Sequence, residues 1–399
     1  IDILRGLALF GILAANMRGF NAPFFAYDNI ARLYPGLFDR IAQGFIDLFI
    51  SGKFVTLFSF LFGLGFAIQM TRAEARGTTL SFYRRRLLIL LTMGCLHAWL
   101  VWSGDILVPY ALTGFLLFFY RTRSQRSLAI SAAWFFAGPL LGVLGFYLAV
   151  RFGLHLSGFS DHKAEELQHA IQVFQNGSYL EMLRQRWQEW LEIAMVLPLI
   201  VCFILPRFLA GMWVWRSGLL QDVPRYLPEV KRVWKWSLVL GTVTNAIVFS
   251  MSLWFDMSKG VKNLPGMVRE LASLISLPAI ACFYACSVLL LAQRRECYPY
   301  LRPFGAVGRT ALSNYLLQSL VFTWFYRLTH LFGKVGPALG LIPTVVFFSL
   351  QVMLSVWWLR HYQFGPAEWL WRSLTYGKRQ PMKKPAAIPG TAAAIASGE

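Results

Sequence analysis

The chain has 399 residues, 57% of them hydrophobic and 14% charged, with a formal net charge of +19. A soluble domain carries about 25% charged residues, so this deficit, with a mean hydropathy of +0.52, excludes an ordinary soluble fold. The positive balance would suit nucleic acid, but no aromatic–basic interleave or zinc-finger spacing accompanies it, and no nucleic-acid partner is expected.

Apolar blocks of 16 to 26 residues recur along the chain. Each is about long enough to cross a hydrocarbon core of ~30 Å as a helix. The pattern predicts an all-α polytopic transmembrane helical bundle of about ten spans, at 3–20, 44–69, 87–102, 105–120, 128–150, 191–211, 234–254, 271–291, 306–326 and 339–358. The first reads as a retained helix, because its exit, AANMRGF, is not a convincing cleavage site. The start at Ile1, without a methionine, points to a few residues upstream.

Charge sets the expected orientation. The stretch after the second span, TRAEARGTTLSFYRRR, holds five arginines, and RTRSQR, Arg207 to Lys235, QRRECYPYLR and the region after Arg360 are also basic. With alternating spans these all fall on one side, which the positive-inside rule makes cytoplasmic. Both termini then lie in the cytoplasm, and the turn from Trp102 to Asp105 lies outside.

The longest outer loop, between Arg151 and Trp190, reads as two amphipathic helices joined at Asn176-Gly177. Ser178 and Glu181 offer a capping box to the second. His162, Glu166 and His169 lie near one face, but a solvated helix face explains them better than zinc, and no metal site is expected. The end of the chain, FGPAEWLWRSLTYGKRQPMKK, predicts an interfacial helix with Trp369, Trp371 and Tyr376 as anchors and Arg372, Lys378 and Arg379 reaching phosphates. Residues 1–384 thus form a single membrane domain: an N-terminal five-helix part (1–150), the outer helices (151–190), a C-terminal five-helix part (191–358) and the interfacial segment (359–384). The tail, 385–399, has no core to join and is expected to be disordered. Cys282 and Cys286 read as small packing residues, and the five cysteines form no disulfide framework.

Few residues in these spans can carry chemistry. Asp2 and Arg5 share a helical face near the inner end of the first span, where an ion pair serves either helix packing or a substrate contact. His97 stands about five residues before the outer end of the third span, ~7 Å deep at 1.5 Å per residue. Asp105 begins the fourth span just across a Ser-Gly turn. A histidine with a nearby carboxylate suits a general base near pH 7; the alternative is that Asp105 caps the fourth span while His97 makes one interhelical bond. The two are expected to line one polar cavity near the outer face. In FGAVGRTALSNYLLQSL, Asn314 and Gln318 share a face with Ser313 and Tyr315 alongside, which suits bundle packing or a polar cavity. GKFVTLFSFLFGLGF repeats the theme with Lys53, Thr56 and Ser59. No P-loop, GxSxG or HExxH motif is present.

Five ordered stretches, IDILRGLALFGILAANM, SGKFVTLFSFLFGLGF, FYRRRLLILLTMGCLHAWLVWSGDILVPYAL, RPFGAVGRTALSNYLLQSL and FGPAEWLWRSLTYGKRQP, resemble the YeiB-like family of bacterial inner-membrane proteins, whose C-terminal half is a domain of unknown function. That family is similar in turn to the transmembrane acyltransferases, which include sugar O-acyltransferases and the lysosomal heparan-α-glucosaminide acetyltransferase. Asp2, Arg5 and Gly6 match the DxLRG motif, His97 the family's histidine position, and Gly104, Asp105, Ile106 and Leu107 its GDIL run. The sugar O-acyltransferases carry their key histidine in the first span; here Asn16 and Met17 occupy that outer end, and that branch's pattern is absent.

The resemblance implies acyl transfer from acyl-CoA to a polar or lipid-like acceptor at a bacterial inner membrane. His97 would be the base and Asp105 would orient it, while Arg84, Arg85 and Arg86 would guide the nucleotide phosphates from the inner side. Acyl-CoA is then a donor substrate and no tightly bound cofactor is expected; membrane lipids and the acceptor are the partners, and a homodimer is left open. A transporter or exporter of a small polar or lipid-like solute would use the same residues, Asp2, Arg5, His97, Asp105, Asn314 and Gln318, to line a path. A structural or signalling membrane protein would pair them off and leave no cavity.

Overall fold

The computed structural model describes residues 1–23, 33–75, 80–152, 163–255 and 257–384. His162 and the tail from 385 lie outside the described residues. Among the described residues the chain is helical, with a single isolated bridge between Tyr362 and Lys383.

Helices follow in order as α1 (Asp2–Asn21), α2 (Leu37–Phe49), α3 (Lys53–Ala75), α4 (Leu80–Leu100), α5 (Leu107–Leu116, extended by a 3-10 turn Leu117–Tyr120) and α6 (Gln125–Arg151). Then come α7 (Lys163–Asn176), α8 (Tyr179–Arg216), α9 (Leu227–Trp254), α10 (Leu264–Ala292), α11 (Tyr298–Arg309), α12 (Ala311–Leu328), α13 (Pro337–His361) and α14 (Pro366–Tyr376). Their starts carry local signals. Ser124 and Asn263 cap α6 and α10 through their side chains, and Ser178 with Glu181 forms the expected capping box on α8. Proline sits in the first turn of α9, α10, α13 and α14, where its missing N–H leaves no intrahelical bond unmade.

Seven helical stretches among the described residues are long and apolar enough to cross a membrane: Asp2–Asn21, Leu37–Glu74, Gln125–Arg151, Tyr179–Arg216, Leu227–Trp254, Leu264–Ala292 and Pro337–His361. The protein is a membrane protein by that measure. The other three spans expected from sequence fall on α4, α5 and α12, which are shorter or more polar. Those three helices carry the candidate site. A helix enclosed by other helices can hold more polar side chains than one facing lipid, because neighbouring protein satisfies them.

Two departures from the expected spans stand out. The outer amphipathic helix and the sixth span form one continuous 38-residue helix, α8, with Pro198 and Pro206 inside it. The ninth span is broken at Thr310, which leaves the helical region with φ −112° and ψ 32°. The break is held from both sides. Gly308 of α11 abuts the backbone of α1, where an added Cβ would stand 1.8 Å from the Asp2 carbonyl oxygen. Beyond the break, the Glu368 carboxylate of α14 accepts from the backbone N–H groups of Leu312 at 2.7 Å and Ser313 at 3.2 Å, capping α12 from a distant part of the chain.

The core runs along α1. Leu9, Ile12, Leu13 and Met17 pack with Leu90 of α4, Leu107 of α5, Tyr315 and Phe322 of α12 and Phe348 of α13. A second core joins Phe66, Leu87, Tyr110 and Phe208 of α3, α4, α5 and α8. Small residues allow the close crossings: a Cβ on Gly63 would meet the Phe208 carbonyl, and one on Gly211 the Phe60 carbonyl, both at 2.1 Å. By contrast, α9 exposes Trp236, Leu240 and Phe249, and α6 exposes Trp134 and Leu141. Such faces suit hydrocarbon rather than water.

Candidate active site

The Ser-Gly turn between α4 and α5 folds tightly because Gly104 has no side chain. A Cβ there would stand 2.4 Å from the Trp102 ring, which lies across the turn. The Trp102 indole N–H donates to the Gly19 carbonyl of α1 at 2.9 Å, and its ring sits 4.5 Å from that of Phe20. One turn before His97, Gly94 lets α5 approach, since a Cβ would stand 2.8 Å from Val108 N and 2.9 Å from Leu107 Cβ. These contacts set the pair at the head of the hairpin.

His97 Nδ1 lies 2.8 Å from Asp105 Oδ1, and both side chains are nearly fully buried, at 3% and 1% exposure. The other carboxylate oxygen, Oδ2, accepts from the Val108 N–H in the first turn of α5 at 2.8 Å. A helix N-terminus favours a carboxylate there. The second imidazole nitrogen, Nε2, lies 2.6 Å from Ser319 Oγ of α12. Tyr315, one turn earlier on α12, places its ring 5.4 Å from the imidazole and accepts from the Ile106 N–H at 3.2 Å. Ser319 is wholly buried.

The result is a serine on α12, a histidine on α4 and a carboxylate in the turn that leads into α5, in one hydrogen-bonded line. A carboxylate on Nδ1 selects the tautomer with its proton on that nitrogen, which leaves Nε2 free to accept the serine hydroxyl proton. The histidine and the aspartate stand out in the sequence as a pair, but the nucleophile does not. Ser319 directly follows Gln318 in the quoted stretch, and a helical step of ~100° turns the two to different neighbours. Only the position of α12 against α4 reveals its partner.

The other candidates settle elsewhere. Asn314 donates to the Thr310 carbonyl at 3.1 Å, to Thr310 Oγ1 at 2.9 Å and to Ser355 Oγ of α13 at 3.0 Å. Gln318 donates to Gln351 Oε1 at 2.8 Å, and Gln351 donates back to the Asn314 carbonyl at 3.0 Å. This ladder ties α12 to α13, and none of its bonds is to His97. Asp2 and Arg5 pair with each other at 2.9 Å. Lys53 donates to the Asp47 carbonyl at the end of α2, at 2.5 Å. Arg84 and Arg85 are exposed, while Arg86 stacks on Trp371 of α14 at 3.7 Å and its carbonyl accepts from the Trp371 indole N–H at 2.9 Å.

A small cavity of about 20 Å³ opens beside the turn, lined by Trp102, Ser103, Arg186, Glu189, Thr323 and Arg327 among others. Ser103 donates to Glu189 Oε2 at 2.5 Å, and Arg186 donates to the Leu100 carbonyl at 2.7 Å. Thr323 stands one helical turn beyond Ser319 and donates to its carbonyl at 2.6 Å. His97 and Asp105 do not line this cavity, nor a second of similar size bounded by Met17, Asn21, Tyr34 and Tyr326. Among the described residues no group of three His, Cys, Asp or Glu side chains could hold a metal ion.

Residues 214–378 match the family described as "Protein of unknown function (DUF418)". The chain is 33% identical to "Uncharacterized protein YxaH" of Bacillus subtilis (strain 168), covering 96% of this chain and 95% of that protein. It is 28% identical to "Uncharacterized protein YeiB" of Escherichia coli (strain K12), covering 94% and 95%.

Proposed function

Since the chain belongs to the YeiB-like family with its domain of unknown function (DUF418), we propose that its bundle transfers an acyl group from acyl-CoA to a hydroxyl or amine acceptor. The single observation that carries this reading is His97 held between a buried carboxylate and a buried hydroxyl, at 2.8 Å and 2.6 Å. His97 is the general base, and Asp105 is a positioning residue that fixes the imidazole tautomer. General-base assistance of this kind contributes ~10²- to 10⁴-fold in rate. The polar acceptor is a membrane lipid or a polar molecule at the membrane surface.

In this reading the bundle crosses a bacterial inner membrane about ten times, with α4, α5 and α12 completing the set and both termini in the cytoplasm. Basic Arg84 and Arg85 then stand at the inner end, placed for the nucleotide phosphates of CoA, and the turn at Trp102–Asp105 faces outward. Single-cysteine labelling with a membrane-impermeant maleimide checks the topology. A cysteine at the exposed Asn176 reacts from the outer face after opening of the cell envelope, and one at Gln380 only after lysis of the inner membrane.

The chemistry is checked on purified protein in lipid nanodiscs, given acetyl-, octanoyl- and palmitoyl-CoA with a lipid extract from the source membrane. Release of CoA thiol with incorporation of the acyl group into extract, lost in His97→Ala, is the expected result. No consumption of any thioester, combined with saturable uptake of a solute by the same protein in vesicles, would move the assignment to transport. Comparison of lipids and glycans between wild-type and deletion cells then identifies the acceptor.

A further inference from the structure

We infer that Ser319 is the group that first receives the acyl chain, so that transfer runs through a seryl ester on α12; this rests on the acyl-transfer reading above. A direct transfer would need the acceptor's hydroxyl on the base. Yet both imidazole nitrogens are already engaged, Nδ1 by Asp105 at 2.8 Å and Nε2 by Ser319 Oγ at 2.6 Å. An incoming acceptor cannot reach Nε2 until the serine hydroxyl leaves it. Attack by Ser319 itself requires no such displacement.

The competing role for this serine is a helix back-bond. Ser319 Oγ lies 3.2 Å from both the Tyr315 and the Leu316 carbonyl oxygens, the usual resting place of a serine in a membrane helix. Both contacts are longer than the 2.6 Å to Nε2. With the Nδ1 proton committed to Asp105, Nε2 has only a lone pair to offer, so the serine hydroxyl is the donor in that bond. The carbonyls become the alternative acceptor once the imidazole carries a second proton. Nucleophile, base and orienting carboxylate within hydrogen-bond reach of one another are the arrangement that activates an alcohol for acyl transfer.

The two half-reactions balance without any further reagent. Ser319 Oγ bonds to the thioester carbonyl carbon as its proton passes to Nε2. The C–S bond then breaks, and the CoA sulfur leaves with that proton. The seryl ester oxygen has no proton to donate, so Nε2 is now free for the acceptor's hydroxyl or amine. That group gives its proton to Nε2 and bonds to the ester carbonyl, the bond to Oγ breaks, and the proton returns to Ser319. Thr323, which lines the small cavity beside Trp102 and Ser103, stands one helical turn from Ser319, so the acceptor approaches from that side of α12.

Full-length protein in nanodiscs is incubated with acetyl-CoA and octanoyl-CoA labelled in the acyl carbon, quenched in denaturant and mapped by peptide mass spectrometry. Label on the peptide containing Ser319, stable to neutral hydroxylamine and released by alkaline hydroxylamine, is expected, with loss in Ser319→Ala and in His97→Ala. Thiol release falls on the order of 10³-fold in Ser319→Ala. Ser319→Cys keeps a nucleophile in place and guards against a folding defect, its label becoming sensitive to neutral hydroxylamine. Transfer that persists within about threefold in Ser319→Ala with no label trapped in wild type overturns the inference and leaves the acyl-transfer reading standing. A wild-type protein that neither releases thiol nor takes label from either thioester overturns both.

Discussion

Gly94 lies directly against the backbone of Val108, so close that a methyl group on it would stand 2.8 Å from the Val108 nitrogen. That same N–H donates to Asp105 Oδ2 at 2.8 Å. The glycine therefore sets the helix spacing that puts the carboxylate on His97. Gly94→Val forces α4 and α5 apart, because the obstacle is backbone and cannot swing aside. A loss of about 1–3 kcal/mol is expected, read as a lowered midpoint of thermal unfolding in detergent, with thiol release reduced alongside it. Wild-type stability and wild-type rate in this variant would show that the crossing does not position the pair.

Asp105→Asn preserves shape and keeps one oxygen for the Val108 N–H, but the neutral amide no longer selects the Nδ1–H tautomer. The rate of acyl transfer should fall ~10²- to 10⁴-fold. Stability should fall by about 1–3 kcal/mol for the weakened buried bond. A variant that unfolds easily yet turns over at the wild-type rate would contradict the assigned role.

The Gln318–Gln351 bond, 2.8 Å between buried amides, joins α12 to α13 without touching His97. A double-mutant cycle with Gln318→Leu and Gln351→Leu should give a coupling of about 0.6 kcal/mol, the average for such bonds in a helical membrane protein. Steady-state transfer should stay within about twofold of wild type, since these amides hold helices together rather than line a path. A selective loss of activity at unchanged stability would return Gln318 to the site.

Glu368 is half-buried where it caps α12, and desolvation raises its carboxyl above the ordinary value of 4.5, against the hydrogen bonds from Ser313 and Leu312. A raised folded-state value means that the folded protein holds this proton more tightly than the unfolded chain does. Its contribution is therefore full below about pH 4.5 and declines as pH rises through the folded-state value. Thermal unfolding of wild type and Glu368→Gln across that range checks the sign: wild type should lose stability relative to the glutamine variant as pH increases. A gain with rising pH would show that the capping bonds outweigh burial.

Composition and periodicity made most of the architecture legible. Apolar blocks, the Asn176–Ser178 helix junction and the paired motif at His97 and Asp105 are all local or strictly periodic signals, and a helix in a membrane must satisfy its own backbone. The break at Thr310 was not legible, because its cap comes from Glu368, 58 residues further along the chain. Nor was the continuity of α8, since the proline at 198 gives no hint that neighbouring helices will hold the helix together.

The site divides along the same line. That His97 and Asp105 are neighbours was decided by the sequence itself, through an eight-residue separation across a tight turn. That Ser319 is the third member, 222 positions away from His97, was decided only by the tertiary structure. Hydropathy sees a serine beside a glutamine on one helix. Which of the two faces a base and which faces another amide depends on the rotation of α12 between α4 and α13, and that rotation is set by glycine crossings, a distant carboxylate cap and the packing of α1 through the centre.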